Sequence, residues 1–389
     1  MHVLILGARA PVSLEWARAF KSSGWQVSVA DSLAWPMTRA SSATGRYLRL
    51  PEPRRAPADW VAALRREVDE NRIDLLLPTC EEVFYLSHGL AQFPHYCRVF
   101  VSDFELLHKL HHKGNFAALT AGWSVTAPET RLLDSGTAVK DLAGESVKWV
   151  FKPAYSRFAS HTLIRPAPTD LATLEPTPQR PWVAQRFVAG REHCSFSLLV
   201  EGKLTAHACY HPRYRVGRGS GIWFEPTDPE ILRVFLREFG RETGFTGQIG
   251  FDFIEDEVGR FHVLECNPRG TSGVHLFNDQ PLAMIQALNG THPGLLSATP
   301  KPRMVALAML LFAAPGLLRR GPTAWHRFVR DYAAAGDVVA RPGDLRPLLA
   351  QFPALAEIAW RALTRRCSLL AATTIDIEWD GQPLDTSSP

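Results

Sequence analysis

Residues 247–273 constrain this chain more than any other stretch. They read Gly-Gln-Ile-Gly-Phe-Asp-Phe-Ile-Glu-Asp-Glu-Val-Gly-Arg-Phe-His-Val-Leu-Glu-Cys-Asn-Pro-Arg-Gly-Thr-Ser-Gly. Two runs rich in Ile, Phe and Val flank the polar Asp256-Glu257-Val258-Gly259 turn, which is the pattern of a β-hairpin. Closure without a bulge pairs residues whose numbers sum to about 515, so Asp252 faces Val263 and Gly250 faces Glu265. Alternation then places Glu265 and Asn267 on one face, among Phe261 and Val263, with Asp252 a diagonal neighbour roughly 7–8 Å away. Two carboxylates in a half-apolar site repel each other and lose hydration, which ordinarily drives one of them to protonate. A hard divalent cation removes that conflict, and Mg²⁺ favours few carboxylates, other oxygens and the phosphates of a nucleotide. A solvated hairpin with its acids in water is the plainer alternative.

The chain has 389 residues, long for one ordinary domain, so two or three are expected. It is 46% hydrophobic and 21% charged, a globular composition, and its net charge of +4 is spread along the chain. Mild dispersed basicity suits a phosphorylated ligand, and nucleic acid is not an expected partner. The six cysteines (Cys80, Cys97, Cys194, Cys209, Cys266, Cys367) show no C-x-x-C spacing, as expected of buried thiols in a reducing compartment. The start, Met1-His2-Val3-Leu4-Ile5-Leu6-Gly7, reads as a buried strand and not as a leader, and a cytoplasmic location is expected. The most membrane-like run, Met304–Leu318, contains Pro315 and Gly316 and is shorter than the ~20 residues of a spanning helix. It is expected to be a core helix; an interfacial helix ended by Arg319 and Arg320 is the alternative.

Residues 1–105 alternate strand and helix signals: strands at Val3–Leu6, Gln26–Ala30 and Ile73–Leu77, helices at Leu14–Ser23 and Ala58–Glu70. That order predicts a parallel sheet with helices on its faces. Gly7 is followed by Ala8-Arg9-Ala10-Pro11-Val12, so the G-x-G-x-x-G phosphate cradle of a dinucleotide fold is missing and Asp31 reads as a turn residue. Glu81 and Glu82 follow Leu77-Pro78-Thr79-Cys80, at a strand's carboxyl end where ligands bind, or else they simply start the next helix. Further on, Trp149–Pro153 and Trp182–Val188 read as strands, and Cys194–Val200 with Lys203–Tyr210 as a hairpin closed by Glu201-Gly202. Thr227-x-x-Glu230 has the form of a capping box for a helix with Ile231, Val234, Phe235 and Phe239 inward. Residues 281–389 are expected to be helical and to end in a strand at Thr374–Trp379.

The order strand-Lys, turn, strand, extended hinge, acid, helix, then acid-strand-turn-strand-Glu-x-Asn-Pro-Arg resembles the ATP-grasp superfamily over roughly residues 1–280. The resemblance implies a mixed α/β and α+β architecture: an amino-terminal Rossmann-like unit (1–105), a small lobe (106–182), a large lobe with the Mg-ATP site (183–300) and a helical extension (301–389). It implies that Lys113 and Lys152 contact nucleotide phosphates, that Ser156 in the following loop donates to them, and that Gln185-Arg186-Phe187-Val188 is the hinge. There the backbone of Arg186 and Val188 would hold adenine, with Gln185 standing where Glu is more usual. It further implies Glu192 as the ribose acid, Asp252, Glu265 and Asn267 as ligands of Mg²⁺ (with Mn²⁺ as an alternative), and Arg269 as the arginine on the transferred phosphate. One departure stands out. The loop after Lys152, Ala154-Tyr155-Ser156-Arg157-Phe158-Ala159-Ser160-His161, contains no glycine where the family uses a glycine-rich phosphate cover.

The implied activity is ATP-dependent ligation: a carboxylate becomes an acyl phosphate and is joined to an amine or thiol, with release of ADP and phosphate. Arg269 and Lys152 would act on the reacting groups, while Arg215, Arg218, Gly219, Ser220, Glu81 and Glu82 would line the acceptor side. Small-molecule acid and amine are the expected partners, and a homodimer is one expected state. The same lobes also serve phosphorylation or carboxylation without amide formation, and a nucleotide-binding module without turnover is a further alternative. A nicotinamide-dependent oxidoreductase built on the first α/β unit is the weakest.

Overall fold

The structure is a computed structural model and describes residues 1–156, 161–217, 219–318 and 320–384. Short apolar runs separated by helices build a first, wholly parallel sheet, ordered β3-β2-β1-β4-β5. Its strands are β1 (His2–Leu6), β2 (Gln26–Asp31), β3 (Arg46–Arg49), β4 (Leu75–Leu77) and β5 (Arg98–Val99). Helices α1 (Pro11–Ser22), α2 (Pro57–Asn71), α3 (Glu82–His88) and α4 (Phe104–His111) belong to this unit, and α5 (Lys113–Leu119) follows. Gly7 turns β1 into α1 with φ +74°, and a Cβ there would lie 2.6 Å from Thr79 Oγ1. That close approach and left-handed backbone account for the glycine without any phosphate cradle.

A four-stranded antiparallel sheet, ordered β6-β9-β7-β8, comes next, with β6 (Thr130–Leu133), β7 (Trp149–Pro153), β8 (Leu163–Ile164) and β9 (Trp182–Arg186). Helix α6 (Gly136–Lys140) packs on it around the buried Trp149, Phe151, Val139 and Leu142. The third sheet has eight strands: β10 (Gly190–Val200), β11 (Lys203–Val216), β12 (Ser220–Thr227), β13 (Gly247–Asp256), β14 (Phe261–Asn267), β15 (Leu296–Ser297), β16 (Arg303–Met304) and β17 (Gly336–Asp337). The β10–β11 turn has φ +49° at Glu201 and +76° at Gly202, the two left-handed residues a two-residue hairpin requires. Residues beyond 301 thus supply two strands to this large sheet as well as helices.

The units share their cores. Helix α1 is buried from Val12 to Phe20 and packs between the first sheet and α8 (Pro281–Leu288). Trp16 Nε1 donates to Gln248 Oε1 on β13 (2.7 Å), and Gln248 Nε2 donates to the Pro78 carbonyl (2.6 Å). Phe235 and Phe239 of α7 (Glu230–Thr243) pack on Phe251 and Phe253 of β13. These hydrogen-bonded and apolar contacts fix the carboxyl edge of the first sheet against the strand that carries Asp252.

Four expectations need correction. The segment Thr374–Trp379 is not a strand: a short helix, Leu369–Ala372, is followed by turns that return to the first sheet. There Asp376 is fully buried and bonds Arg9 (2.6 Å) and Arg361 (3.0 Å), and charge neutralisation, not a ladder, anchors it. Trp379 continues into an aromatic cluster with Phe84, Phe104, His108 and Tyr155. The capping box does not form, because Thr227 ends β12 and its hydroxyl meets Cys209 Sγ (3.3 Å) while Pro229 caps α7. Ile231 and Val234 face outward, and Leu232 and Leu236 join Phe235 and Phe239 inside. Finally, the apolar run at 304–318 is not a core helix. A π turn at Met309–Ala313 buries Met309 and leaves Leu310, Leu311 and Phe312 about half exposed. Among the described residues no helix is long and apolar enough to cross a membrane.

Candidate active site

The β13–β14 hairpin forms, but its register is not uniform. Glu255–Phe261, Ile254–His262 and Phe253–Val263 pair in sequence; the register then shifts, and Asp252 pairs with Glu265 and Gly250 with Asn267. Leu264 is the extra residue of a β-bulge. The bulge resets the alternation. Val263 turns into the core with Phe253, Phe251 and Cys266, instead of sharing a face with Glu265 as the unbulged register predicts. Asp252 and Glu265 become direct cross-strand neighbours, closer than the diagonal pair expected. Asn267 joins them, its Nδ2 donating to Asp252 Oδ2 at 3.2 Å.

Both predicted lysines reach this face. Lys113, buried at the start of α5, has Nζ 3.6 Å from Glu265 Oε2 and donates to the Ser156 carbonyl (3.0 Å). Lys152, buried on β7, donates to Gln185 Oε1 (3.0 Å) and to the Leu264 carbonyl (3.4 Å), which the bulge frees from the ladder. Gln185 Nε2 donates to Thr130 Oγ1 (3.1 Å). The Gln185 side chain therefore orients Lys152, and its oxygen is committed to that lysine rather than turned toward a base. Arg269 donates to Asn267 Oδ1 (3.0 Å) and lies 3.6 Å from Glu81 Oε1, which joins the acidic face to the edge of the first sheet.

The electrostatics are those of a site prepared for a cation and an anion together. Burial and the nearby Glu265 charge push Asp252 up to about 6. Burial works in the same direction on Glu265, but Lys113 and Lys152 outweigh it and hold that carboxyl well below the usual range. Burial, reinforced by Lys113 and opposed by Glu265, brings Lys152 down to about 8. Among the described residues no group of three or more His, Cys, Asp or Glu side chains is arranged to hold a metal ion by itself. The donor set is two carboxylates and one amide oxygen, which fits Mg²⁺ that completes its shell with phosphate oxygens. Cys194 directly opposes Asp252 across β10–β13, a neighbour the sequence pattern did not single out.

Other predicted residues take different places. Glu82 is structural: its Oε1 accepts from the Thr79 and Cys80 amides (2.9 Å each), so it starts α3, while Glu81 alone faces the site. The Arg186 amide is spent on the Glu129 carbonyl (2.7 Å) and the Phe187 amide on the Lys148 carbonyl (2.9 Å). Those bonds take the Arg186 and Phe187 amides out of any ligand contact at the expected hinge, where Val188 is half-buried. The Glu192 carboxylate is ion-paired with Arg215, whose Nη1 also donates to the Gly219 carbonyl (2.6 Å). The Ser156 hydroxyl contacts the Pro153 carbonyl (3.4 Å). Ser220 begins β12; Arg218, and Arg157 to Ser160 of the glycine-free loop, lie outside the described residues.

No family model and no curated relative matches the sequence. The architecture matches solved structures over about three quarters or more of the chain. An N5-carboxyaminoimidazole synthetase from Staphylococcus aureus aligns with TM-score 0.59 at 12% identity, over 82% of this chain and 86% of that one. The biotin carboxylase domain of Hydrogenobacter thermophilus 2-oxoglutarate carboxylase, solved with MgADP and bicarbonate, gives 0.59 at 14%, over 74% and 69%. An L-amino acid ligase from Bacillus licheniformis gives 0.57 at 15%, over 78% and 79%. These are ATP-grasp proteins, and the present chain has the ATP-grasp fold.

The Lys152–Gln185 contact leads to a pH prediction. Lys152 loses its proton as pH rises through about 8 in the ligand-free protein. If Lys152 holds a phosphate of ATP, as the family resemblance implies, ATP affinity should therefore weaken above that pH, by up to about tenfold per unit. Gln185→Glu places an anion beside Nζ, raises the lysine's pKa and should move the alkaline limb upward by about a unit. ATP titrations across pH test this; an unmoved limb assigns it to another group.

Proposed function

We propose that this chain is an ATP- and Mg²⁺-dependent ligase that activates a small carboxylate as an acyl phosphate and joins it to an amine or thiol. The observation that carries the reading is the convergence of Asp252, Glu265 and Asn267 with Lys113 and Lys152, from four different elements, on one face. The fold supports it, since among its structural neighbours is an enzyme described as an L-amino acid ligase.

Asp252, Glu265 and Asn267 would hold the metal, which supplies charge neutralisation on the phosphates when bound. Lys113 and Lys152 bind and orient the triphosphate through charge-assisted hydrogen bonds. Arg269, held by Asn267, would stabilise the transferred phosphoryl group. A carboxylate oxygen attacks the γ-phosphorus and ADP leaves; the amine then attacks the acyl carbon, phosphate leaves and the amine gives up a proton. Water must be kept out while the acyl phosphate exists, which is the task of lobe closure. Glu81 and the Arg215 loop would line the acceptor side.

The test is ADP release and product mass spectrometry with Mg-ATP and paired pools of acids and amines. ADP formed only with both, with a product lighter by one water than their sum, supports ligation. A phosphorylated or carboxylated product without amine moves the assignment to those chemistries, and ATP binding without any product overturns the enzyme reading.

A further inference from the structure

The helix Arg346–Arg365 is amphipathic the wrong way round for a monomer. Its inward face carries Gln351, Glu357 and Arg361. Glu357 accepts from the Ala34 and Trp35 amides (2.9 Å each), and Arg361 bonds Asp376 (3.0 Å). The outward face is apolar: Leu345, Leu349, Phe352, Leu355, Trp360 and Leu363 are between 42% and 72% exposed. Soluble surface helices bury such a stripe, and one this extensive marks a contact surface.

The spacing of the stripe identifies its partner. Leu345, Leu349, Phe352, Ala356, Ala359 and Leu363 follow one another at intervals of 4, 3, 4, 3 and 4 residues, the seam of a left-handed helix pair. Antiparallel pairing with a second copy, about a twofold axis level with residue 354, sets Leu345 opposite Leu363, Leu349 opposite Ala359 and Phe352 opposite Ala356 of the other copy. Large side chains meet small ones at the centre, so the stripe is complementary to itself, as an isologous interface must be. No acidic side chain lies on the seam, and Arg346 falls opposite Ala362, so like charges do not meet. The exposed apolar groups would bury on the order of 1,000 Å² over two copies, the size a specific interface needs.

We propose that this helix is a homodimer interface, with a second copy of the chain as its occupant. Light scattering or sedimentation of the full chain at micromolar concentration tests it. The expected mass is twice that of the chain, and Leu349→Glu with Phe352→Glu should halve it with unchanged circular dichroism, since both side chains point to solvent in the monomer. In a Cys367→Ser background, Leu349→Cys combined with Ala359→Cys should cross-link two copies under mild oxidation. The two positions are about 15 Å apart along one helix, too far for a disulfide within one chain. A wild-type monomer overturns the proposal, as does a dimer that survives the double glutamate substitution without cross-linking. Flotation of wild-type monomers with phosphatidylserine vesicles also overturns it and gives the face to a lipid surface.

Discussion

Glu265→Gln is expected to lower ATP-dependent ADP release by about 10³-fold or more, with the fold intact. The loss corresponds to about 4 kcal/mol of transition-state stabilisation. Glu265 is the carboxylate of the pair that Lys113 and Lys152 keep ionised, and it is the only acid within ion-pair reach of Lys113 among the described residues. Its amide isostere fills the same space but leaves the proposed metal site one anionic ligand short. Stability should change little, because Asp252, relieved of its repelling neighbour, ionises more readily and takes over part of the charge balance. A fall in Mg²⁺ affinity measured by titration should accompany the lost turnover. Activity at the wild-type level would remove Glu265 from the site, whereas an unfolded variant would show its role to be structural.

The largest expected effect on stability belongs to Asp376. It accepts from Arg9 through Nη1 and Nη2 (2.6 and 2.7 Å), from Arg361 (3.0 Å) and from Ser32, with no exposure to solvent. Asp376→Ala should cost about 3–5 kcal/mol, since it leaves two buried guanidinium groups short of an anion. Asp31 still faces Arg9 at 2.6 Å, and Glu357 and Glu52 each stand 3.5 Å from Arg361, so the lower end of that range is expected. Burial alone would raise the Asp376 pKa, but Arg9 and Arg361 hold it far below the usual carboxylate value. A depressed carboxylate contributes its stability above the unfolded pKa, about 3.9, and loses it as pH falls below that. Wild type should therefore become acid-labile below about pH 4, and Asp376→Ala should flatten that dependence in urea titrations. Equal wild-type and variant stability at pH 7 would show the network to be energetically neutral.

The architecture was legible where periodicity carries it. Alternating strand and helix signals in the first hundred residues gave the parallel sheet, and the Glu201-Gly202 and Asp256–Gly259 turns gave two hairpins. The gathering of Asp252, Glu265 and Asn267 was legible for the same reason. Their register was not, because a bulge at Leu264 is a backbone event that no side-chain type announces. Gln185 looked like a hinge residue, and only the fold shows its oxygen turned toward Lys152. The end of the chain misled most. Thr374-Ile375-Asp376-Ile377-Glu378-Trp379 alternates like a strand, yet Asp376 and Trp379 are fixed by partners hundreds of residues earlier, which no local pattern can reveal.

That return of residues 376–379 to the amino-terminal unit has a bearing on how the molecule is made. Arg9 leaves the ribosome 367 residues before the carboxylate it needs. Translation runs from the amino terminus, so this edge of the first sheet lacks its Asp376 partner until residue 376 has emerged. Contacts of such long sequence separation slow the final step of folding. Until then the Arg9 guanidinium at that edge has Asp31 as its anionic partner and stays accessible to water on the side that Asp376 later covers.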